Sequence, residues 1–429
     1  MGYEISSLEY LRGQCKRVGQ NATFGSTAFS QAELPGTGSS EIECYTLFES
    51  CLRQIQSSQA TDVRDKVFSA IGIPNRFLPQ GVAIEVWPDY SLTVEEAFRS
   101  VTYVLARKLP SLSFLSLVED RSFRRLQDLP SWVPDFTCSN TVQPLSYFSH
   151  REIHQKSPSN RILLSSRCLS GSALTLSGRP ISTVMSTAAV WDETKTSLDP
   201  SDTREQFIYN VLKFLQSLFL ICSNFEHVHC ERQSPLEAIW RVLIVNQRQL
   251  RQKTSVPVTR KDFHDWVMKY MAEGSQTYKC NDDLFDSCMK LIKTVADNSF
   301  LSEVAVLELG NTLALMDDNP QEALNLKGQR LSIEEIQEGF ERYDSLFTRV
   351  QSHRRVFQTY KGLLGVRPLS VEPEDQLWEI DAAIVPFILR PAENDESFFL
   401  IGEAYLPNPN YDEAKDIRSE SLWRLIRLL

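Results

Sequence analysis

The stretch from Thr61 to Phe136 carries the densest set of structural signals in this sequence. It begins with a charged turn, continues with a short apolar run and an amphipathic segment, and ends in a tryptophan between two prolines. Thr93 and Glu96 have the spacing of a capping box, in which each side chain bonds the other residue's backbone N–H at the start of a helix. Apolar residues then recur at three- and four-residue steps, which predicts an amphipathic helix. The stretch therefore predicts a small helical unit with a buried face.

The overall composition is that of an ordinary soluble globular protein. Of the 429 residues, 42% are hydrophobic and 23% are charged, which is close to the average for such proteins. The formal net charge of −10 disfavours binding to the phosphate backbone of a nucleic acid. The longest apolar stretch, Phe207–Cys222, is interrupted by polar residues, so we expect no membrane span. With no secretory signal at the N-terminus, we expect a cytoplasmic protein, with a nuclear location as the alternative.

Cysteine and histidine spacing gives little sign of a disulfide framework or a metal centre. The nine cysteines include no CxxC pair, and their odd number does not suggest a set of disulfides. The densest group of possible metal ligands is 226–231, where His227 and His229 would face the same side of a strand. A zinc site needs a third and a fourth ligand, and no matching motif lies nearby. His227 and His229 are therefore only weak candidates, and we expect no cofactor.

The remaining patterns predict an α+β protein with a predominantly α-helical body and a small C-terminal antiparallel β unit. Helical periodicity dominates from Phe207 to Val350, where Ser332 and Glu335 have capping-box spacing. An extended segment before it has breaks at Gly171 and again at Gly178-Arg179-Pro180. We predict four segments: 1–60 with N-terminal helices and a loop, 61–160 helical, 161–350 with short strands and then a helical block, and 351–429 rich in β structure and ending in a short helix.

Four short blocks stand out along the chain, namely a DxRDK turn, a PDYS segment, an LPSWVPD element and a C-terminal series with glycines. In chain order their residues are Asp62, Arg64, Asp65, Lys66, Pro88, Asp89, Tyr90, Trp132, Pro134, Asp135, Gly362, Gly365, Pro386, Arg390, Gly402, Glu403 and Tyr405. In this order the blocks closely resemble the region that follows the N-terminal module of fungal heterokaryon-incompatibility (HET) domain proteins. The number and order of the blocks carry the resemblance, since no single block is highly specific.

The resemblance implies a regulatory or protein-interaction role in fungal non-self recognition and vegetative-incompatibility cell death, with other proteins as partners. Residues 1–60 contain no counterpart of the Tyr-Trp-Gly signature of the HET module, so we expect that module to be lost or to be encoded upstream of Met1. The HET module is similar to TIR-type domains, some of which cleave NAD, but no residue of this chain supports that activity.

Several of these residues allow a functional and a structural interpretation. The charged turn at Asp62–Lys66 could contact a phosphate, but its two acids balance its two bases, so we expect internal ion pairs instead. Trp132 could stack on a ligand, but a tryptophan between prolines more often fills a core. Glu403 could act as a general base or as an ordinary hydrogen-bonding group. We expect the structural role in each case.

Two alternatives to an interaction protein remain open from the sequence. The first is an enzyme with an unrecognised pocket, assembled from Arg64, Asp89, Trp132, Arg390 and Glu403. The second is a member of the family recruited to a fungal secondary-metabolite gene cluster. The enzyme hypothesis predicts that the five residues converge on one concave site. The interaction hypothesis, which we favour, predicts that they are dispersed or paired within the scaffold.

Overall fold

The computed structural model describes most of the chain in separate ranges. These are residues 39–56, 58–76, 83–138, 144–145, 168–191, 204–223, 235–246, 256–277, 283–296, 300–318, 327–393, 396–407 and 423–429. Within them, the helices are α1 (Ser39–Ile55), α2 (Asp65–Ile71), α3 (Val94–Lys108), α4 (Arg204–Ser223), α5 (Pro235–Leu243), α6 (Arg260–Thr277), α7 (Asp283–Val295), α8 (Glu303–Asp318) and α9 (Lys327–Gln351). The strands are β1 (Cys168–Ser170), β2 (Ala173–Thr187), β3 (Arg354–Thr359), β4 (Leu364–Pro368), β5 (Gln376–Ile380), β6 (Phe387–Pro391), β7 (Ser397–Glu403) and β8 (Arg424–Leu428). The predicted α+β class is confirmed.

The chain divides into two compact units, and both are discontinuous in sequence. Unit 1 consists of Met1–Ile181, Gln376–Glu403 and Ala414–Leu429, and unit 2 consists of Ser182–Asp375 and Ala404–Glu413. This division differs from the four predicted segments. Strands β3 and β4 belong to unit 2, whereas β5 to β8 belong to unit 1. The difference arises because the strands pair across long sequence separations, which local patterns do not reveal.

Unit 1 combines α1 to α3 with a closed ring of five strands. The ring runs from the first half of β2 through β5, β6, β7 and β8, and β8 pairs again with β2. Leu428 on β8 lies opposite Leu174 on β2 and Phe398 on β7. Inward-facing strand residues such as Trp378 and helix residues such as Phe98 form one hydrophobic cluster. The ring and the helices of unit 1 therefore share a core.

Strand β2 corrects the predicted break at Gly178-Arg179-Pro180, because it continues without interruption from Ala173 to Thr187. A Cβ atom at position 178 would lie 3.1 Å from the carbonyl oxygen of Glu379. Arg179 pairs with the Glu379 carboxylate, with Nη2 and Oε2 2.5 Å apart. Gly178 thus allows the close approach of another backbone, which is a known role of glycine within strands.

Strand β8 corrects two further predictions. The chain was expected to end in a short helix, but Arg424–Leu428 is a strand in which Ile426 and Leu428 are buried and the other three residues are exposed. This strand is antiparallel to β2 and parallel to β7. The β structure is therefore mixed rather than wholly antiparallel.

Unit 2 contains α4 to α9, the second half of β2, and β3 and β4. Its core includes a group of aromatic rings in which the Phe347 centroid lies 4.6 Å from Trp266 and 4.8 Å from Trp191. An ion pair and a hydrogen bond join α6 to α9. Arg342 pairs with buried Asp262 at 2.7 Å, and Trp266 Nε1 donates to Asp344 at 2.8 Å. The carboxylate of Asp262 and the indole N–H of Trp266, whose residues are buried, are therefore both paired, as the cost of desolvating polar groups requires.

Helix α4 bears on the prediction that no segment spans a membrane. By length and composition alone, α4 is long and apolar enough to cross a bilayer. In the structure, Leu212, Leu215 and Phe219 of this helix are fully buried in the hydrophobic cluster of unit 2. An apolar core helix of a globular unit has the same composition.

Candidate functional site

Arg64 holds the first two sequence blocks together in unit 1. Its Nε and Nη2 donate to the Asp62 carboxylate, at 3.0 Å to Oδ1 and 2.6 Å to Oδ2. Its Nη1 donates to the carbonyl oxygens of Tyr90 and Leu92, each at 2.8 Å. Hydrogen bonds from Arg64 hold the pKa of Asp62 below its ordinary value. The guanidinium thus fixes the loop before α3 and is bonded within its own unit.

Tyr90 is the centre of the same network. Its hydroxyl donates to Asp65 Oδ1 at 2.5 Å, and the edge of its ring packs on Phe68 with the centroids 5.3 Å apart. Asp89, which follows exposed Pro88, accepts bonds from the N–H and the hydroxyl of Ser91 at 2.8 and 2.6 Å. This network orders the loop between Pro88 and α3.

The third block closes one end of the strand ring. Trp132 is 0% exposed and belongs to the hydrophobic cluster of unit 1, as predicted. Its Nε1 donates to the carbonyl oxygen of Ser172, in the turn between β1 and β2, at 2.9 Å. The hydroxyl of Ser131 accepts from the Leu400 N–H at 2.9 Å, and the Ser131 N–H donates to the Leu429 carbonyl at 2.6 Å. Pro134, next in the block, is also buried.

Asp135 is the centre of a buried polar cluster behind this block. Its Oδ2 accepts from the N–H groups of Arg125 and Leu126 at 2.8 and 3.0 Å. Its Oδ1 accepts from the N–H and the hydroxyl of Thr137 at 2.9 and 2.6 Å. Burial raises the pKa of Asp135, but the hydrogen bonds outweigh it and the pKa lies below its ordinary value. Asp135 is therefore ionised at neutral pH.

Glu119 is the second acid of the cluster, and its pKa is shifted in the direction opposite to that of Asp135. Gln56 Nε2 donates to its Oε1 at 2.7 Å, and the Asp135 N–H donates to its Oε2 at 3.1 Å. Burial raises the pKa of Glu119 to about 8. Lys66, from the first block, is also buried; its Nζ donates to the Gln56 carbonyl at 3.2 Å, and burial lowers the pKa of its ammonium group.

Two acids with pKa values pushed apart form the arrangement that catalytic acid–base pairs use. Here Asp135 is 0% and Glu119 is 9% exposed, so neither faces a substrate in solution. Burial also raises the pKa of the neighbouring Cys138 thiol to about 11, which keeps it protonated and weakly nucleophilic at neutral pH. The cluster can hold a proton, and it ties α1 and α2 to the third block. Glu119 and Gln56 could not be identified as site residues from the sequence, since neither lies in a recognisable motif.

The fourth block shapes the strand ends of both units. Gly362, in the turn between β3 and β4, has a φ of +73°, a conformation that favours glycine. Tyr405 forms a two-bond bridge with Val366, with N···O distances of 2.9 and 3.1 Å. A Cβ atom at Gly365 would lie 2.5 Å from both the Phe357 ring and the Tyr405 carbonyl oxygen. Each residue has a structural role in unit 2.

The other members of this block lie on β6 and β7 of unit 1. Pro386 immediately precedes β6, and Arg390 lies on β6 opposite Phe399. Gly402 has a φ of +146° near a register shift between β6 and β7. The Glu403 carboxylate accepts a hydrogen bond from the Leu145 N–H. Glu403 therefore serves as a hydrogen-bonding group at the end of β7.

We expect replacement of Gly365 by alanine to lower the free energy of unfolding by about 1–3 kcal/mol, because the added methyl group overpacks a filled site. Denaturant unfolding of the variant would measure the loss. Gly171→Ala is the matched control: position 171 has a φ of +64° and a Cβ atom there would meet nothing within 4 Å, so its cost is backbone strain of about 1 kcal/mol without a clash. A Gly365→Ala protein as stable as the parent would show that β4 shifts freely and would contradict the close packing.

The five residues of the enzyme hypothesis occupy different settings. Arg64 and Asp89 lie in the network before α3, and Arg64 contributes to the lowered pKa of Asp89. Trp132 fills the core, whereas Arg390 and Glu403 lie on β6 and β7. The structure thus brings Arg64 and Asp89 together and gives Trp132 and Glu403 structural partners elsewhere in unit 1.

Metal binding was predicted only weakly, at His227 and His229, and both lie outside the described residues. Within the described ranges, no group of three or more His, Cys, Asp and Glu residues could hold a metal ion. Cys44, Cys51, Cys138, Cys222 and Cys288 are free and buried.

Part of the chain matches a known family of protein domains. Residues 224–408 match the family model of the Het-6 beta-barrel domain, which is a region of HET-family proteins. The predicted resemblance is therefore confirmed. The match contains α5 to α9 and β3 to β7, whereas β2 and β8, which complete the strand ring, lie outside it. No curated protein and no solved structure matches the chain significantly.

Proposed function

We propose that this chain, which carries a match to the Het-6 beta-barrel domain, is a non-catalytic interaction protein in heterokaryon incompatibility. It acts in the cytoplasm through contacts with other proteins that regulate incompatibility and the resulting cell death. The family match supports the connection to heterokaryon incompatibility. The absence of catalysis and the dependence on protein contacts are our inference from the motif residues.

One observation carries this proposal: the charged residues of the sequence blocks are bonded within their own units. Arg64 uses its donors on Asp62 and on two carbonyl groups, and Asp135 accepts four hydrogen bonds while fully buried. Glu403 accepts a bond from the Leu145 backbone. A catalytic acid or base must reach the proton that it transfers, and these groups are engaged in bracing the fold instead.

A second candidate function has one observation in its favour, namely the opposite protonation of Glu119 and Asp135. In an enzyme, Glu119 would be the general acid and Asp135 the base or electrostatic partner. This hypothesis requires that the cluster opens to admit a substrate. It predicts that activity disappears when either acid is replaced by its amide.

We expect the purified chain to release no nicotinamide from NAD, because the block acids Asp62, Asp65 and Asp135 are engaged in hydrogen bonds within unit 1. Liquid chromatography of NAD incubated with the protein would measure the product. Glu119→Gln and Asp135→Asn are the matched variants, and an unrelated purification from the same host controls for contaminants. Nicotinamide release that either variant abolishes would overturn the non-catalytic proposal.

The biological role can be tested by producing the chain in a filamentous fungus with a working incompatibility response. Heterokaryon formation and uptake of a vital dye would report incompatibility and cell death. We expect the chain to alter both, and Glu119→Gln to have the same effect as the parent, because the proposal gives Glu119 no catalytic task. Equal behaviour of strains with and without the chain would contradict the proposed role.

A further inference from the structure

Among the residues of unit 1 that the structure describes, Trp87 is the most exposed large hydrophobic residue. Its side chain is 73% exposed, although Ile84 and Val86 in the same segment are buried at 1% and 5%. Three residues further on, Tyr90 is 53% exposed. Tryptophan removes a large apolar area from water when it is covered, so an indole left in solvent, with a second exposed aromatic residue in the same segment, indicates a contact surface.

The segment that carries Trp87 is held in place on both sides. The Ile84 N–H donates to Asn75 Oδ1 at 2.9 Å, and the Glu85 N–H donates to the Tyr45 hydroxyl at 3.0 Å. On the other side, Arg64 donates to the Tyr90 carbonyl at 2.8 Å. The indole is therefore presented by an ordered backbone, and a partner would bind it with little loss of conformational entropy.

The surroundings of Trp87 are acidic. Residues 83–96 contain four acids, namely Glu85, Asp89, Glu95 and Glu96, and no lysine or arginine. Asp89 accepts its hydrogen bonds from Ser91, which hold its pKa below the ordinary value, so it is ionised at neutral pH. Glu85 pairs with Lys108 at 2.5 Å and with Arg107 at 3.9 Å. The cation near Asp89, Arg64, is paired with Asp62. Asp89, Glu95 and Glu96 form no ion pair among the described residues, so the segment that carries the indole is net negative.

Tyr90 shows how an aromatic ring of this surface accommodates a cation. The guanidinium carbon of Arg64 lies 5.4 Å from the centre of the Tyr90 ring while the same group pairs with Asp62. No ring or cation contact to Trp87 occurs among the residues that the structure describes. Tryptophan offers the best side-chain face for a cation, and this face has no such partner within those residues.

We propose that Trp87 and the carboxylates around it form a docking site for a short basic segment of another protein. An arginine of that segment stacks on the indole, and Asp89 attracts its charge. Complementary charge selects this occupant. A second copy of this chain, with its net charge of −10, would be repelled, as would a nucleic acid or an anionic membrane. The inference rests on the proposed interaction function and identifies the chemistry of the partner.

The probe is the peptide acetyl-Gly-Arg-Leu-Arg-Gly-amide, compared with the same peptide in which citrulline replaces both arginines. The full chain is labelled with 5-fluorotryptophan, and Trp87→Phe assigns the resonance of residue 87 by its disappearance. We expect the arginine peptide to shift this resonance saturably, and added salt to weaken the binding. Because a cation–π contact at an exposed site is worth about 1 kcal/mol, Trp87→Ala should weaken binding about fivefold. This variant lacks the reporting residue, so its affinity and that of the parent are compared by isothermal titration calorimetry with the same peptide.

Two variants make the test specific. Asp89→Asn should weaken binding of the arginine peptide severalfold by removing the nearby charge. Tyr360→Ala, which removes an aromatic side chain of unit 2 that is 60% exposed, should leave binding unchanged. Residues 87, 89 and 360 are all exposed, so we expect the variants to fold, and thermal melts would verify this.

Equal binding of the citrulline peptide, or unchanged binding by Trp87→Ala, would overturn the docking site. The same results would leave the non-catalytic function standing, because the NAD assay tests it separately. Conversely, NAD turnover that depends on Glu119 or Asp135 would remove the proposed function even if Trp87 bound the arginine peptide. The docking site and the proposed function can therefore be contradicted independently of each other.

Discussion

Replacing Trp132 by alanine is expected to lower the free energy of unfolding by about 3–5 kcal/mol, the usual cost of removing a large aromatic side chain from a core. Trp132 is fully buried in the hydrophobic cluster of unit 1. The substitution opens a cavity where the third block meets the strand ring. It also removes the indole N–H that donates a hydrogen bond to the Ser172 carbonyl oxygen at 2.9 Å. Urea unfolding of the purified variant would measure the loss.

Two matched variants separate the contributions at this position. Trp132→Phe keeps most of the ring volume and removes the N–H donor, so about 1 kcal/mol of the loss is expected from the hydrogen bond. Trp87→Ala truncates a tryptophan that is 73% exposed and should change stability by no more than about 0.5 kcal/mol. If Trp132→Ala unfolded at the same urea concentration as the parent, the third block would not anchor the ring.

The start of a helix could be predicted from a capping box in the sequence, but only where the helix does not already begin before that box. At Thr93 and Glu96 both halves of the capping box are present, and α3 begins as predicted. Ser332 and Glu335 have the same spacing, yet α9 begins at Lys327, so this pair lies inside the helix. The pattern describes two residues, whereas the start of a helix also depends on the residues before them.

Strand pairing could not be predicted for a related reason. Leu428 lies opposite Leu174, and no local pattern connects two segments so far apart in sequence. The end of the chain therefore looked like a short helix, although its buried residues alternate as in a strand. Closure of the ring gives both edges of β8 a partner, which satisfies backbone groups that an isolated segment would leave exposed.

The buried polar cluster around Asp135 could also be predicted only in part from local sequence patterns. The blocks identified Lys66 and Asp135, because these residues belong to recognisable motifs. Their partners Gln56 and Glu119 come from segments without a motif, and only folding brings the four together. The sequence thus indicated where polar residues are concentrated, but the proton-holding member, Glu119, emerged only from burial and contacts.

Glu119 makes the stability of the chain dependent on pH, and the sign follows from the direction of its shift. Its pKa is about 8 in the folded protein and 4.5 as the ordinary value. Between these values the folded chain holds a proton that the unfolded chain has released. Stability from this group is therefore complete below about pH 4.5 and declines as the pH rises towards 8. A tenfold change in proton affinity is worth about 1.4 kcal/mol, so the decline is on the order of a few kcal/mol.

Glu119→Gln should remove this decline, because the amide resembles the protonated acid and does not titrate. Urea unfolding at pH 5, 6, 7 and 8 would give the free energy of unfolding of both proteins, and the difference between them isolates Glu119 from all other groups. Relative to the parent, the variant should gain stability as the pH rises. Glu43→Gln, which alters an exposed acid of α1, should keep the parent's slope. Parallel curves for Glu119→Gln and the parent would mean that Glu119 is ionised when buried. The N–H donors of Gln56 and Asp135 and the nearby Arg124 cation would then outweigh its desolvation.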